Sequence, residues 1–338
     1  MNKNIVHVLL GMGIIFLAAI QMIDSQAHAY FYNFLTWFTW PSIFFAVGYL
    51  IDEKQKVLKS IFHYVKIYLI PYFSVGLFLI FINKIVQLFH LNPWLKTPFP
   101  AIKVGLKALL YGNGQPADTF VWPFETAIGA LWILLALFCS SVINIVILKI
   151  KSINLRIISV LVVAVLGFYI GSVVQLPWSV QSAMIVQPFM LYGSQLKHSK
   201  KWQPTYAVLL AALISAWLMS YAGAYELTTA FSYHWILGTI MAFIAMNAVL
   251  SIAYLINTRL GRLANLLIFL GKGLNINIVL LGFISLIIPL QLYVSKLFFF
   301  KEINFLTVWV LTIIIMGFVK LIINKGLNHY CKSTEEVG

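Results

Sequence analysis

Few side chains in this sequence could move a proton or hold an anion, and those few sit at the ends of long apolar runs. His7 stands one turn inside the first run, His63 lies on the approach to the third between Lys59 and Lys66, and His234 opens the eighth. Histidine titrates near neutral pH, so each could serve as a general base. An interfacial histidine with a satisfied hydrogen bond is the plainer reading of each. Lys272, in GKGLNIN, could neutralise a phosphate or another anion, or snorkel to the membrane surface. Lys66 could meet the same anion.

Within the runs themselves the polar groups are amides and hydroxyls: Gln21, Asn33, Thr39, Ser42, Asn144, Gln187, Asn247, Asn275 and Asn277. Interhelical hydrogen bonding at about 1 kcal/mol each accounts for such residues in lipid. All nine Asp and Glu fall in loops or at run edges. That argues against proton coupling through a buried carboxylate and against intramembrane aspartyl chemistry. Neither an HExxH nor a GxSxG motif is present. Cys139 and Cys331 make no metal or redox spacing. Cys139 reads as packing. Cys331 reads as a free thiol, with lipidation as the alternative.

The elements that must position these groups are membrane spans. The chain has 338 residues, 62% apolar and 9% charged, with a mean hydropathy of +0.94. A soluble domain carries roughly a quarter of its residues charged, so lipid is the solvent here. A bilayer core of about 30 Å takes roughly 20 apolar residues per helix. Ten runs are expected to span, at 5–23, 30–51, 66–89, 128–149, 155–175, 180–196, 204–222, 233–256, 264–290 and 303–323. The ninth is long enough to be tilted, or broken near Gly271 and Gly273. The first reads as a span rather than a cleaved leader, because no small-residue cleavage site follows it. The expected fold is therefore all-α, one bundle of about ten helices forming a single domain over 1–338.

The net charge of +14 follows topology. Lys3, then Lys54, Lys56 and Lys59, then Lys149, Lys151 and Arg156, then Lys197, Lys200 and Lys201, then Arg259 and Arg262, then Lys325 and Lys332 fall in alternate loops. The loops 24–29, 176–179 and 223–232 carry no Lys or Arg. This alternation puts both termini in the cytoplasm. Without a recognition fold the charge gives no reason to expect nucleic acid. Residues 90–127 differ from the other connections: Pro93, Pro98, Pro100, Pro116 and Pro123 exclude one continuous helix. AIKVGLKALLYG within them could form a short helix lying on the membrane.

Four segments together resemble the membrane-bound acyltransferase 3 family. WPSIFFAVGYLIDEK (40–54) is similar to its "P-L-F-F-x-x-S-G-Y/F-L" segment, and KIYLIPYFSVGLF (66–78) to its "R-x-x-L-I-P-Y" entry to the third span. ALWILLALF (130–138) is similar to "LWFLPALF", and LPWSVQSAMIVQPFMLYGSQLK (176–197) to its "A-L-x-x-x-P-F-x-x-x-G" span. The branch it most resembles acetylates sugars of surface or secreted glycans. The resemblance implies acyl-CoA as a co-substrate with no tightly held cofactor or metal, and a glycan or lipid-linked sugar as acceptor. It also implies a basic residue and, eleven positions later, a histidine in the first span.

Against that pattern, LGMGIIFLAAIQ keeps Gly11 but has Leu10 in the basic position and Gln21 in the histidine position. A further family histidine, before the proline of the second span, is here Thr39. Gln21 and Thr39 are thus expected to line a cavity where the family's reacting groups sit. The family's span 3 arginine is matched in charge by Lys66, and its late Gly-Lys pair by Gly271 and Lys272. Glutamine can orient a hydroxyl but cannot take its proton, so a base would have to come from His7 or His63. Three readings follow: a divergent O-acyltransferase, a catalytically silent relative that binds or translocates a lipid-linked sugar or another amphiphile, and an ion-coupled carrier of unrelated class. The missing intramembrane carboxylates make the third the weakest.

Overall fold

The computed structural model describes residues 2–23, 28–112, 114–116, 126–199, 206–227, 235–295 and 301–335. His234 lies outside these residues, as does the side chain of Cys331. The described chain is all-α. Among the described residues six helices are long and apolar enough to cross a membrane. They are Lys3–Met22, Val57–Leu88, Gly129–Leu148, Ile153–Val173, Trp235–Arg259 and Asn304–Gly326. A seventh is the pair Gly261–Gly271 and Leu274–Ile287, bent by 77°, if that pair is taken as one span.

The first helix, α1 (Lys3–Met22), starts at Asn2, whose side-chain oxygen accepts the Asn4 N–H at 3.0 Å. That capping bond satisfies one of the amides left open at a helix start. α2 (Ala29–Leu50) is rich in aromatic residues. The third run is one long rod: α3 (Val57–Tyr64), a π-helical segment over Val65–Leu69, and α4 (Ile70–Leu88). Pro71 explains the π segment. It has no N–H, so a regular helix would leave the Ile67 carbonyl without a donor. Asn275 fills the gap, its Nδ2 donating to Ile67 O at 3.1 Å.

α5 (Ile102–Tyr111) is the short helix expected within 101–112. Its terminal carbonyls are capped by other elements: Tyr72 Oη donates to Leu109 O at 2.5 Å and Trp178 Nε1 to Leu110 O at 3.0 Å. Asn83 grips the extended segment before α5 through both backbone groups of Phe99, at 2.7 and 3.2 Å. The segment 90–112 is thus pinned onto α4 rather than free.

Next come α6 (Trp132–Leu148), α7 (Ile153–Val173), α8 (Val180–Ile185) and α9 (Gln187–His198). The sixth apolar run is therefore two helices, broken at Val186, because Pro188 cannot donate to the preceding turn. α10 (Tyr206–Ala222), α11 (Trp235–Arg259), α12 (Gly261–Gly271), α13 (Leu274–Ile287), α14 (Leu290–Ser295) and α15 (Lys301–Glu335) complete the order.

Burial sorts these helices. The most apolar window of α1 and that of Gly129–Leu148 are each 78% buried, whereas those of α7 and α15 are 22% buried. The former pair forms the axis of the bundle and the latter faces lipid. Close crossings hold the axis together. A Cβ on Gly11 would lie 2.2 Å from Leu267 O, and one on Gly271 would lie 2.9 Å from Gly11 N. α1 and α12 therefore meet glycine to glycine, as small residues permit in membranes. α2 and α9 cross in the same way at Gly48 and Gly193.

Candidate functional site

The α1–α12 crossing builds one wall of a cavity of about 370 Å³. His7 and Leu10 line it from α1, Val47 and Leu50 from α2, and Asp52 and Gln55 from the following loop. His63, Tyr64, Ile67 and Tyr68 line it from the third run, and Gly271, Gly273 and Leu274 from the broken ninth. A second groove of about 240 Å³, lined by Gln55, Lys59, Phe62, His63 and Lys66, shares Gln55 and His63 with the first. The two adjoin at Gln55 and His63, the cavity apolar at Leu10 and Val47 and the groove cationic at Lys59 and Lys66.

The local sequence explains this placement. Along α3 and the π-helical segment that continues it, Lys59, Phe62, His63 and Lys66 recur at three- to four-residue spacing and so lie on one side of the rod. Ser60, Tyr64 and Tyr68 occupy the opposite, buried face. His63 and Lys66 are exposed. His7 is half-buried, and its Nδ1 is shielded without a hydrogen-bond partner. The charges of Lys272 and Lys3 reach it. Among the described residues neither imidazole of the cavity is hydrogen-bonded to a carboxylate. Nor do three His, Cys, Asp or Glu converge among them as a metal site requires.

The lip of the cavity, residues 51–56, is fixed by cations from other helices. Lys149 Nζ donates to Glu53 O at 2.8 Å and to Gln55 O at 2.7 Å, and Lys197 Nζ donates to Ile51 O at 2.8 Å. The Glu53 carboxylate lies 3.1 Å from His198 Nε2 and 3.9 Å from an Arg156 nitrogen. Asp52 Oδ1 accepts the Lys54 N–H at 3.1 Å, which turns the lip back on itself.

The floor is the α12–α13 corner. Gly273 holds a left-handed conformation with φ of 66°. The corner leaves the last carbonyls of α12 without helical donors. Lys320 of α15, only 2% exposed, supplies them: its Nζ donates to Phe269 O at 2.6 Å, to Leu270 O at 3.2 Å and to Lys272 O. Asn277 Nδ2 adds a bond to Leu270 O.

The sequence-derived candidates therefore separate into two groups. His7 and His63 share the cavity, Lys66 lies in its extension, and Lys272 flanks it as the exposed residue between Gly271 and Gly273. Gln21 and Thr39 do not line it. Gln21 is half-buried, fourteen positions along α1 from His7, or about 21 Å at 1.5 Å per residue. Thr39 is fully buried and donates to Leu35 O of its own helix at 2.8 Å. Leu10, noted in sequence only as a replaced cation, is a lining residue. Sequence reasoning missed Asp52, Gln55, Tyr64 and Tyr68. The four-residue spacing of Tyr64 and Tyr68 with buried Ser60 was the available signal for one face.

Comparison of the chain with protein-family models, with curated proteins and with solved structures found no match.

Proposed function

We propose that this chain is a membrane-bound O-acyltransferase that moves an acyl group, acetyl in the first instance, from acyl-CoA to a hydroxyl of a cell-surface or secreted glycan. One observation carries the reading: His7 and His63 line a single cavity, and the groove that adjoins it at His63 carries Lys59 and Lys66. An imaginary ligand that suits it is anionic at one end and reactive at the other. In the proposed step an imidazole takes the acceptor hydroxyl's proton as its oxygen attacks the thioester carbonyl. The C–S bond breaks, the thiolate leaves with the proton, and an ester and free CoA result. Lys66 and Lys272 hold the phosphates of the donor.

In the same reading the chain crosses a cell membrane ten times with both termini in the cytoplasm. Three of the five outer connections in that count, 24–29, 176–179 and 223–232, carry no Lys or Arg, which supports it. α2, the α8–α9 pair and α10 would be the additional spans. The depression then opens to the cytoplasm, where acyl-CoA is made.

The test is transfer of labelled acetyl from acetyl-CoA to glycan and lipid-linked sugar acceptors by protein in nanodiscs, with release of free CoA followed in parallel. His7→Ala and His63→Ala should each lower transfer, the one that removes the base by about 100-fold or more. Absence of transfer and of thioester hydrolysis in the unaltered protein overturns the proposal.

A second reading, a silent relative that binds or translocates a lipid-linked sugar, draws on Leu10, an apolar group lining the cavity where the resemblance calls for a cation. It requires acceptor binding without thioester cleavage. It also requires Leu10→Arg with Gln21→His to change acyl-CoA binding or turnover.

A further inference from the structure

A third depression lies on the far side of Glu53 from the cavity. It measures about 360 Å³ and runs between α7 and α9, with Phe243 of α11 as its floor. Ile153, Ile157, Val160 and Leu161 line it from α7, and Pro188, Leu191, Tyr192 and Gln195 from α9. The Tyr192 hydroxyl is already engaged, 3.1 Å from Asn247 Oδ1. Gln195 is thus the one polar side chain of the lining without a protein bond, among the described residues. The groove is a slot for a hydrocarbon chain, open on the lipid-facing helix of the bundle.

Cations gather at one end of this slot, most of them already engaged: Lys197 Nζ donates to Ile51 O at 2.8 Å and Arg156 Nε to Ile150 O at 2.6 Å. Ile153 follows Lys151 by two residues, Ile157 follows Arg156 directly, and Gln195 precedes Lys197 and His198. Against these cations the lip supplies one carboxylate in contact, Glu53, shared between Arg156 and His198. Lys151 is exposed, next to the start of α7. Ser152 caps α7 with its backbone alone, so the first amides of that helix point outward toward the same end. Apolar length, a cationic mouth and open helix amides at that mouth describe the two ends of one molecule. We infer that the α7–α9 groove binds one acyl chain of an anionic phospholipid, with its phosphate at Lys151 and the start of α7.

This site is separate from the His7–His63 cavity and does not depend on acyl transfer. The test uses delipidated full-length protein titrated with dioleoyl phosphatidylglycerol or dioleoyl phosphatidylcholine and read by native mass spectrometry. One tight phosphatidylglycerol adduct is expected, favoured over phosphatidylcholine by about fivefold per engaged cation. Lys151→Glu should abolish that preference while leaving phosphatidylcholine binding unchanged. Ile157→Trp, at a half-open position on the lipid side, should weaken both adducts by filling the slot. Thermal melting of both variants verifies that each is folded. Equal binding of the two lipids, insensitive to Lys151→Glu, overturns the inference. So does a dimer that Ile157→Trp dissolves, since a second copy of the chain would then be the occupant.

Discussion

A side chain on Gly271 would place its Cβ 1.9 Å from the carbonyl oxygen of His7. The residue that lines one wall of the cavity and the residue that ends α12 are therefore in backbone contact. Gly271→Ala must push α1 and α12 apart, at a cost of about 1–3 kcal/mol. The melting temperature in detergent should fall. Gly317→Ala is the matched control: nothing lies within 4 Å of its Cβ, and it sits inside α15. That change should be neutral or stabilise by up to about 1 kcal/mol.

Lys320→Met should be among the most damaging single changes in the chain. It removes the ammonium from Phe269 O, Leu270 O and Lys272 O, leaving Asn277 as the remaining side-chain donor at Leu270 O. Charged hydrogen bonds of this kind are worth about 1.5–3 kcal/mol. A loss near or above that range, read as thermal melting, is expected. An unchanged melting curve would mean that the corner is held by other groups.

Pro71 and Asn275 should be coupled. Asn275→Leu costs about 1 kcal/mol in the natural chain, because Ile67 O loses its donor. With Pro71→Ala a backbone N–H returns to that turn, so the same change should then cost less. A double-mutant cycle measures the difference, and strict additivity of the two changes would refute the account of the π segment.

Tyr225 predicts a pH dependence. It lies between α10 and α11, packed against Trp37 with ring centroids 5.3 Å apart, and burial raises its hydroxyl above the ordinary tyrosine value. In the unfolded chain the phenol ionises near about pH 10. Its contribution to stability is thus complete below that pH. Above it the unfolded state releases the proton first, and stability falls as pH rises. Tyr225→Phe should make the alkaline fall less steep when melting is followed through about pH 10–11.

Much of this architecture was legible because lipid enforces it. Apolar runs of about 20 residues have one good conformation in a bilayer. The break at Gly271 and Gly273 and the short helix at Ile102–Tyr111 agree with the linear text, whereas the meeting of His7 with His63 in one cavity was not read from it. What stayed hidden were partnerships between distant positions. Nothing near Lys320 in the sequence says that its ammonium belongs to α12, and nothing near Asn275 points to Ile67. The split of the sixth run at Val186 was readable from Pro188, but the apolar content of the run outweighed it. Gln21 and Thr39 were chosen by correspondence with a motif, which gives chain position and not the cavity a side chain reaches.

The ammonium that closes the α12–α13 corner is encoded about fifty residues after it. A ribosome making this chain therefore delivers the bend well before its clamp. During that interval Asn277 can already serve Leu270 O, but the Phe269 and Lys272 carbonyls must borrow water or lipid headgroups until the last long helix arrives.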